Sequence, residues 1–254
     1  MIRIENINKR FKKLYALKDV SATFNKGQVI SLIGPNGSGK TTLIKSILGM
    51  VKPDSGSIYF NDHLITESET YRSQIGYMPQ IGRYPDNMKI RQVIDMLKNI
   101  RRADEKTIDV ELYESFRLRE MQEKTMQSLS GGTRQKVSAV LAFMFNPEVL
   151  ILDEPTAGLD PVASEILKDK IISEKRKGKL VLITSHILSD LDELTTDIMY
   201  LQEGKMQLFD SLQNIKQHTG EERLGKAIAH IMQKGYKRQA EIIHTSNNQT
   251  IRTP

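Results

Sequence analysis

The sequence predicts an α/β fold: a mainly parallel sheet wrapped by helices, with an antiparallel β part near the N-terminus and an inserted helical lobe. Three observations carry that expectation. The apolar run Val29-Ile30-Ser31-Leu32-Ile33 leads into a glycine-rich loop and then into the helix-like Leu43-Ile44-Lys45-Ser46-Ile47-Leu48. Two later runs, Val149-Leu150-Ile151-Leu152 and Leu180-Val181-Leu182-Ile183, are apolar throughout, as strands covered on both faces are. Between the first run and these two, residues 87–128 switch to a helical period.

With 254 residues, 39% of them hydrophobic, the chain can hold one large domain, or one domain and a small appendage. No apolar run approaches the ~18 residues that suggest a membrane span, and the N-terminus lacks a signal-peptide core. The absence of cysteine excludes disulfides and thiolate metal sites and fits a cytosolic protein. The net charge is +6, of which residues 205–254 supply +4 from eight Lys/Arg against four Asp/Glu. The rest is almost balanced, which argues against nucleic acid as the partner of the whole chain.

Taken in order, Ile2-Arg3-Ile4 and Ala22-Thr23-Phe24 read as strands, with a turn at Asn25-Lys26-Gly27. Phe11, in a strand-edge setting, is either a ring that stacks on a base or a core residue; Tyr15 competes for the stacking role. The segment Gly34-Pro35-Asn36-Gly37-Ser38-Gly39-Lys40-Thr41-Thr42 is G-x-x-x-x-G-K-[ST] between a strand and a helix, the context a phosphate loop requires. Backbone N–H groups of Gly37, Ser38 and Gly39 can curl around an anion where side chains would collide, and the helix start adds unpaired donors. Lys40 can neutralise β/γ-phosphates, and the Thr41 hydroxyl can ligate Mg²⁺.

Pro53-Asp54-Ser55-Gly56 is a turn before the strand Ser57-Ile58-Tyr59-Phe60. Gln80 follows a strand that ends beside Pro79, at a sheet edge where Mg²⁺ or attacking water is met. Ile90, Val93, Ile94 and Leu97 form one apolar helical stripe, and 101–106 reads as a surface connection. Ser130-Gly131-Gly132 opens a helix with Val137, Val140, Leu141 and Met144 on one face. Ser130 is a natural N-cap; the turn is either a second anion site or an ordinary helix start.

The run into Asp153-Glu154 delivers two adjacent carboxylates, a costly burial unless a cation or a reaction uses them. Asp153 suits Mg²⁺ through water. Glu154, by strand alternation on the other face, can accept a proton from water. Asp160 caps a helix whose first residue is Pro161 and whose stop is Gly178. His186 stands beyond the carboxyl end of the 180–184 strand, where open α/β sheets bind ligands. Residues 192–209 read as a helix remnant and two short strands turning at Glu203-Gly204. Thr219 with Glu222 reads as a capping box for a helix with Leu224, Ala227, Ile228 and Ile231 as its stripe and Gly235 as its stop. The polar run 245–250 reads as disordered.

Phosphate loop, Gln80, Leu129-Ser130-Gly131-Gly132, Asp153-Glu154, Asp160 and His186 occur in this order on one chain. That series resembles the ATP-binding subunits of ABC transporters over roughly residues 1–210, which implies a P-loop NTPase fold with its helical lobe at about 87–145. Residues 211–254 would then be a basic C-terminal helical extension with a disordered end. The resemblance implies ATP and Mg²⁺ as ligands and ATP hydrolysis as the activity. Gly34, Asn36, Gly37, Ser38, Gly39, Lys40, Thr41 and Thr42 would hold the phosphates, Phe11 the adenine, and Thr41, Gln80 and Asp153 the metal. Glu154 would be the catalytic base, Gln80 the lid-loop glutamine and His186 the γ-phosphate switch. Ser130, Gly131 and Gly132 would close over ATP held by a second copy in a head-to-tail homodimer, with Asp160 communicating across the interface. An integral membrane permease is the implied partner, and the inner face of the cytoplasmic membrane the implied location.

One departure is physical: the family motif continues with Gln where this chain has Thr133. Thr133 is too short to complete a capping box with Ser130, weakening the helix start by a few tenths to about 1 kcal/mol. Tyr77-Met78-Pro79-Gln80-Ile81-Gly82-Arg83-Tyr84-Pro85, Gly131-Gly132-Thr133-Arg134-Gln135-Lys136 and Gly225-Lys226-Ala227-Ile228-Ala229-His230 further resemble the NosF-type ATPases of the transporter that matures the copper site of nitrous-oxide reductase. A periplasmic maturation protein is then an implied indirect partner. His218, His230 and His244 lie 12 and 14 residues apart, the wrong spacing for a copper site of their own.

The sequence leaves two rival readings. A soluble mechanical ATPase acting on DNA or ribosomes would be expected to carry a long coiled coil, zinc cysteines or a second motif set, and the chain has none of these. A nucleotide-binding regulator without hydrolysis is opposed by the intact pair Asp153-Glu154.

Overall fold

The apolar runs become the middle of a sheet because no other arrangement covers both of their faces. The computed structural model describes residues 1–185 and 191–234. Strands β1 (Ile2–Phe11), β2 (Leu14–Phe24) and β3 (Val29–Ile33) precede helix α1 (Lys40–Ile47). Strands β4 (Ser55–Phe60), β5 (His63–Leu64) and β6 (Ile75–Met78) follow, then helices α2 (Ile90–Arg101), α3 (Glu111–Ser115) and α4 (Gly131–Phe143). The chain continues through β7 (Val149–Asp153), α5 (Pro161–Arg176), β8 (Leu180–Thr184), β9 (Asp197–Gln202) and β10 (Lys205–Ser211). It closes with α6 (Leu212–Thr219) and α7 (Leu224–Lys234).

Two sheets form, as expected. One is antiparallel, in the order β2-β1-β4-β5; the other runs β10-β9-β3-β8-β7-β6 and is parallel except for the β9–β10 hairpin. All residues of β3, β7 and β8 are buried. One core lies between the antiparallel sheet, α1 and one face of the parallel sheet, around Phe24, Leu43, Ile44 and Leu182. The other joins the opposite face to α2, α4 and α5, around Val93, Val140, Leu152 and Leu167.

The first hairpin is much longer than its short alternating runs predict. Its pairing shifts register between Ile4 and Ile7 and again near Lys9, and Asn6 and Asp19 take left-handed backbone (φ 48° and 50°). Each shift breaks the period-2 signal locally while pairing continues across it. Arg101 also departs from its reading as surface connection. Its guanidinium donates to the carbonyls of Ser73 (3.0 Å) and Ile75 (3.3 Å) and lies over the Phe145 ring, pinning the end of α2 to β6. At the tail, Thr219 is the last residue of α6, and its hydroxyl donates back to Ile215 O. The α7 helix is capped from another part of the chain, since Asp192 Oδ2 accepts from the Leu224 N–H at 2.9 Å. Leu224, Ala227, Ile228 and Ile231 are buried as a stripe. Gly235, His244 and the 245–250 run lie outside the described residues. Among the described residues no helix is long and apolar enough to cross a membrane.

One buried ionic cluster ties the helical lobe to α5. Lys170, 2% exposed, places its ammonium against Asp109, Glu111 (2.6 Å) and Glu174 (3.2 Å). Glu174 also meets Lys177 (2.7 Å) and Lys179. Burial alone would raise the Glu174 pKa, but hydrogen bonds from Lys177 and Lys179 and the charge of Lys179 outweigh it and bring the carboxyl from 4.5 to about 2. A depressed carboxyl stabilises the fold fully above its unfolded pKa and loses that contribution as pH falls through the folded value. Urea unfolding is therefore expected to show roughly 1–3 kcal/mol of stability lost between about pH 4.5 and 2 through this group. Glu174→Gln should remove that part of the acid slope; an unchanged slope would show the cluster to be energetically idle.

Candidate functional site

The glycine loop leaves β3 at the carboxyl edge of the sheet, between two strands that also end there, β8 and β9. Helix α1 starts at Lys40 with no side-chain cap, preceded by Gly39 in left-handed conformation (φ 111°). Its first N–H groups therefore remain available to an anion. Gly39 must be glycine, because a Cβ there would sit 2.4 Å from Ala16 O as well as demanding the wrong φ. The loop is clamped from outside: the Gly204 N–H donates to Ser38 O (3.0 Å), and the Lys18 N–H donates to Gly204 O (2.8 Å). Lys40 Nζ folds back to donate to the carbonyls of Gly34 (2.7 Å) and Pro35 (3.1 Å). Ser38 Oγ is buried and has no hydrogen-bond partner among the described residues. A buried unpaired hydroxyl is costly, and a phosphate oxygen in the loop would satisfy it.

Above the loop lies a cleft of about 420 Å³, lined by Phe11, Leu14, Ala16, residues 36–42, Gln80, Asp153 and Glu154. Phe11 is 47% exposed and faces this cleft. Both candidate rings carry cations, Phe11 that of Lys9 (5.4 Å from the ring centre) and Tyr15 those of Arg10 and Lys18 (5.1 and 5.7 Å), but Tyr15 does not line the cleft. Gln80 is exposed at the cleft edge just beyond β6. Burial pulls the Lys40 ammonium below its ordinary pKa, while the charges of Glu154 and Asp153 push the other way.

Strand alternation placed Glu154 on the face opposite Asp153; the structure corrects this. The strand ends at Asp153, and Glu154 takes φ 54°, so both carboxylates line one cleft. A left-handed non-glycine residue costs roughly 1–2 kcal/mol and persists only where its neighbours hold it. Here Thr184 holds it from β8. Its Oγ1 donates to Asp153 Oδ1 and accepts from the Glu154 N–H (3.1 Å), and its carbonyl accepts from the same N–H (3.1 Å). From the other side Gln135 Nε2 donates to Glu154 O (3.1 Å). Sequence reasoning missed both Thr184 and Gln135. The one local signal for Thr184 was a polar residue closing an apolar strand.

Ser130 caps α4, its side chain accepting from the Thr133 N–H (3.3 Å). Thr133 Oγ1 lies 2.9 Å from Ser130 Oγ, a hydroxyl contact where a longer side chain would reach the cap's backbone. A Cβ on Gly132 would fall 2.6 Å from Gly158 O, so the turn presses against the segment after Glu154. Asp160 caps α5 through the Ala163 N–H (2.9 Å) and pairs with Lys136 of α4 (2.7 Å). Ser130, Gly131, Gly132 and Asp160 lie outside the cleft that holds Lys40. His186 lies outside the described residues. No group of three or more His, Cys, Asp or Glu suited to a metal ion occurs among the described residues, His218 and His230 included.

A cradle of backbone N–H groups facing paired carboxylates at the edge of a parallel sheet defines a P-loop nucleotide-binding protein. Comparison with known proteins narrows the class. Residues 17–157 match the family described as ABC transporter, and the chain belongs to that family as an ATP-binding subunit. It is 33% identical over 232 residues to the lantibiotic transport ATP-binding protein SrtF of Streptococcus pyogenes, covering 85% of this chain and 95% of SrtF. A solved ATP-binding subunit of an ABC transporter superposes with a TM-score of 0.85 at 27% identity, over 91% of this chain and 99% of that one. The dimeric ABC transporter cassette MJ0796 shares the fold, with a TM-score of 0.74 at 24% identity over 84% of this chain and 99% of that one. These similarities reach the family and stop short of the NosF-type resemblance.

Proposed function

We propose that this chain hydrolyses ATP between two of its own copies and hands the resulting motion to a separate membrane permease. The observation that carries this reading is the placement of Glu154 and Asp153 in the cleft of Lys40, with the Glu154 backbone held left-handed. Phe11 stacks on the base. Residues 34 and 36–42 bind the phosphates, with Lys40 neutralising charge and Ser38 Oγ gaining its partner. Glu154 takes the proton of attacking water, a step for which positioning and charge do most of the work. Thr41, Asp153 and Gln80 are the residues that would hold Mg²⁺, which supplies charge neutralisation at the phosphates. His186 is assigned to the γ-phosphate by resemblance.

The Ser130-Gly131-Gly132 turn, outside its own chain's cleft, is complete as a nucleotide contact only when it faces the cleft of a second copy. That supports a head-to-tail dimer of the kind named for MJ0796, with Asp160 beside the shared boundary. The permease would dock where the Gln80 loop meets the lobe, in a groove of about 330 Å³ that combines Met50, Leu97 and Phe145 with Arg72, Arg83 and Arg101. Such a groove fits a short segment that is apolar and acidic. By the resemblance to the ATP-binding subunits of ABC transporters we assign the subunit to the cytoplasmic face of the membrane.

Phosphate release by the full chain with MgATP, alone and with its permease in vesicles, tests the reading. Turnover stimulated by the permease is expected, and tight nucleotide binding with no turnover in either setting would leave a regulator instead. The finer proposal, service in nitrous-oxide-reductase copper-site maturation, is supported by the local wording around Gln80, Gly131 and Gly225. Deleting the chain in its host should bleach the copper-centre spectrum of that enzyme, and an unchanged spectrum would remove the assignment.

A further inference from the structure

We infer that Gln135 is a positioning residue for the general base: it holds the Glu154 main chain from the helix that begins at the Ser130 turn. The inference rests on the ATPase reading above and adds a residue to it. Gln135 is 7% exposed and sits five residues after the α4 cap. Its carboxamide Nε2 donates to Glu154 O at 3.1 Å, with Pro155 O at 3.5 Å. A buried amide costs free energy unless its hydrogen bonds are made, and an apolar side chain of similar size would fill the same space without that cost. Here the amide is aimed at the carbonyl of the one non-glycine residue lining the cleft whose backbone is left-handed, Glu154 (φ 54°).

The two sides of Glu154 are held by different parts of the fold. Thr184 takes its N–H from β8, in the interior of the sheet. Gln135 takes its C=O from α4, whose first turn is Gly131 and Gly132. A shift of α4 therefore changes one side of the clamp and leaves the other in place. In the proposed dimer the α4 turn touches the partner's nucleotide, whereas Glu154 serves the nucleotide of its own chain. Gln135 is then a direct side-chain link by which docking at one site sets the base at the other. The neighbouring contacts of α4, Lys136 with Asp160 and Gly132 with Gly158, reach only the turn beyond Glu154.

The test uses Gln135→Leu, which keeps volume and removes the donor, with Gln135→Met as a second variant should leucine prevent folding. Fluorescent ATP titration is expected to give a Kd within about twofold of wild type while kcat falls about tenfold, the split expected when an interaction matters only in the transition state. Mixed dimers of differently tagged subunits then locate the effect. With Glu154→Gln on one subunit, Gln135→Leu is expected to slow turnover about tenfold more when it shares the subunit with the intact Glu154 than when it does not. A kcat within twofold of wild type, a matching loss of ATP affinity, or an equal loss in both mixed dimers would overturn the inference. Wild-type turnover in the Glu154→Gln homodimer would instead overturn the ATPase reading beneath it.

Discussion

Glu154→Gln is expected to lower steady-state ATP turnover by roughly 10²–10⁴-fold, the range for loss of a positioned general base, while nucleotide still binds. Glutamine matches glutamate in size and keeps its hydrogen-bonding reach, so the left-handed turn and the Thr184 and Gln135 contacts to its main chain have no reason to move. What disappears is the site that accepts a proton. The substitution also removes one of the two carboxylates that share the cleft with the phosphates, so affinity for ATP should hold or rise. With hydrolysis blocked, the closed form has no exit, and gel filtration with MgATP should show a dimer that wild-type protein forms only transiently. A turnover rate within twofold of wild type would remove Glu154 from the role of base.

Lys40→Met is expected to weaken ATP binding by roughly 10–100-fold, the cost of one charge-assisted hydrogen bond. Methionine preserves the aliphatic stem, so α1 and its buried face of Leu43, Ile44 and Ile47 should be unaffected. The ammonium does two things that the thioether cannot. It supplies positive charge to the cleft, and it braces the loop through the carbonyls of Gly34 and Pro35. Lys40→Arg should not rescue, because a planar guanidinium is too broad to fold back onto both carbonyls and still face a phosphate. Fluorescent nucleotide titration provides the measurement, and an unchanged Kd would remove the phosphate-loop assignment.

By itself the sequence determined the elements whose signal is local. The phosphate loop is legible because its chemistry needs glycines, a lysine and a hydroxyl at short fixed spacing between a strand and a helix. Strands β3, β7 and β8 were legible because a strand covered on both faces must be apolar throughout, and α2 because Ile90, Val93, Ile94 and Leu97 keep the 3.6 period. The helix caps at Ser130 and Asp160 were legible for the same reason: donor and acceptor lie three residues apart.

The tertiary structure alone decided the contacts between residues far apart in the chain. Thr184 reaches Asp153 and Glu154 only because β8 lies beside β7 in the sheet. Gln135 reaches Glu154 only because the start of α4 packs against the segment that follows β7. Asp192, not Thr219, caps α7, and Lys170 binds Asp109 and Glu111 from 61 and 59 residues away. The turn of Glu154 into the cleft of Asp153 breaks the period-2 rule at the single residue where strand geometry stops. Periodicity and capping are written into neighbouring residues, whereas these partners are chosen by strand order and helix placement, which depend on how the whole chain buries its apolar surface.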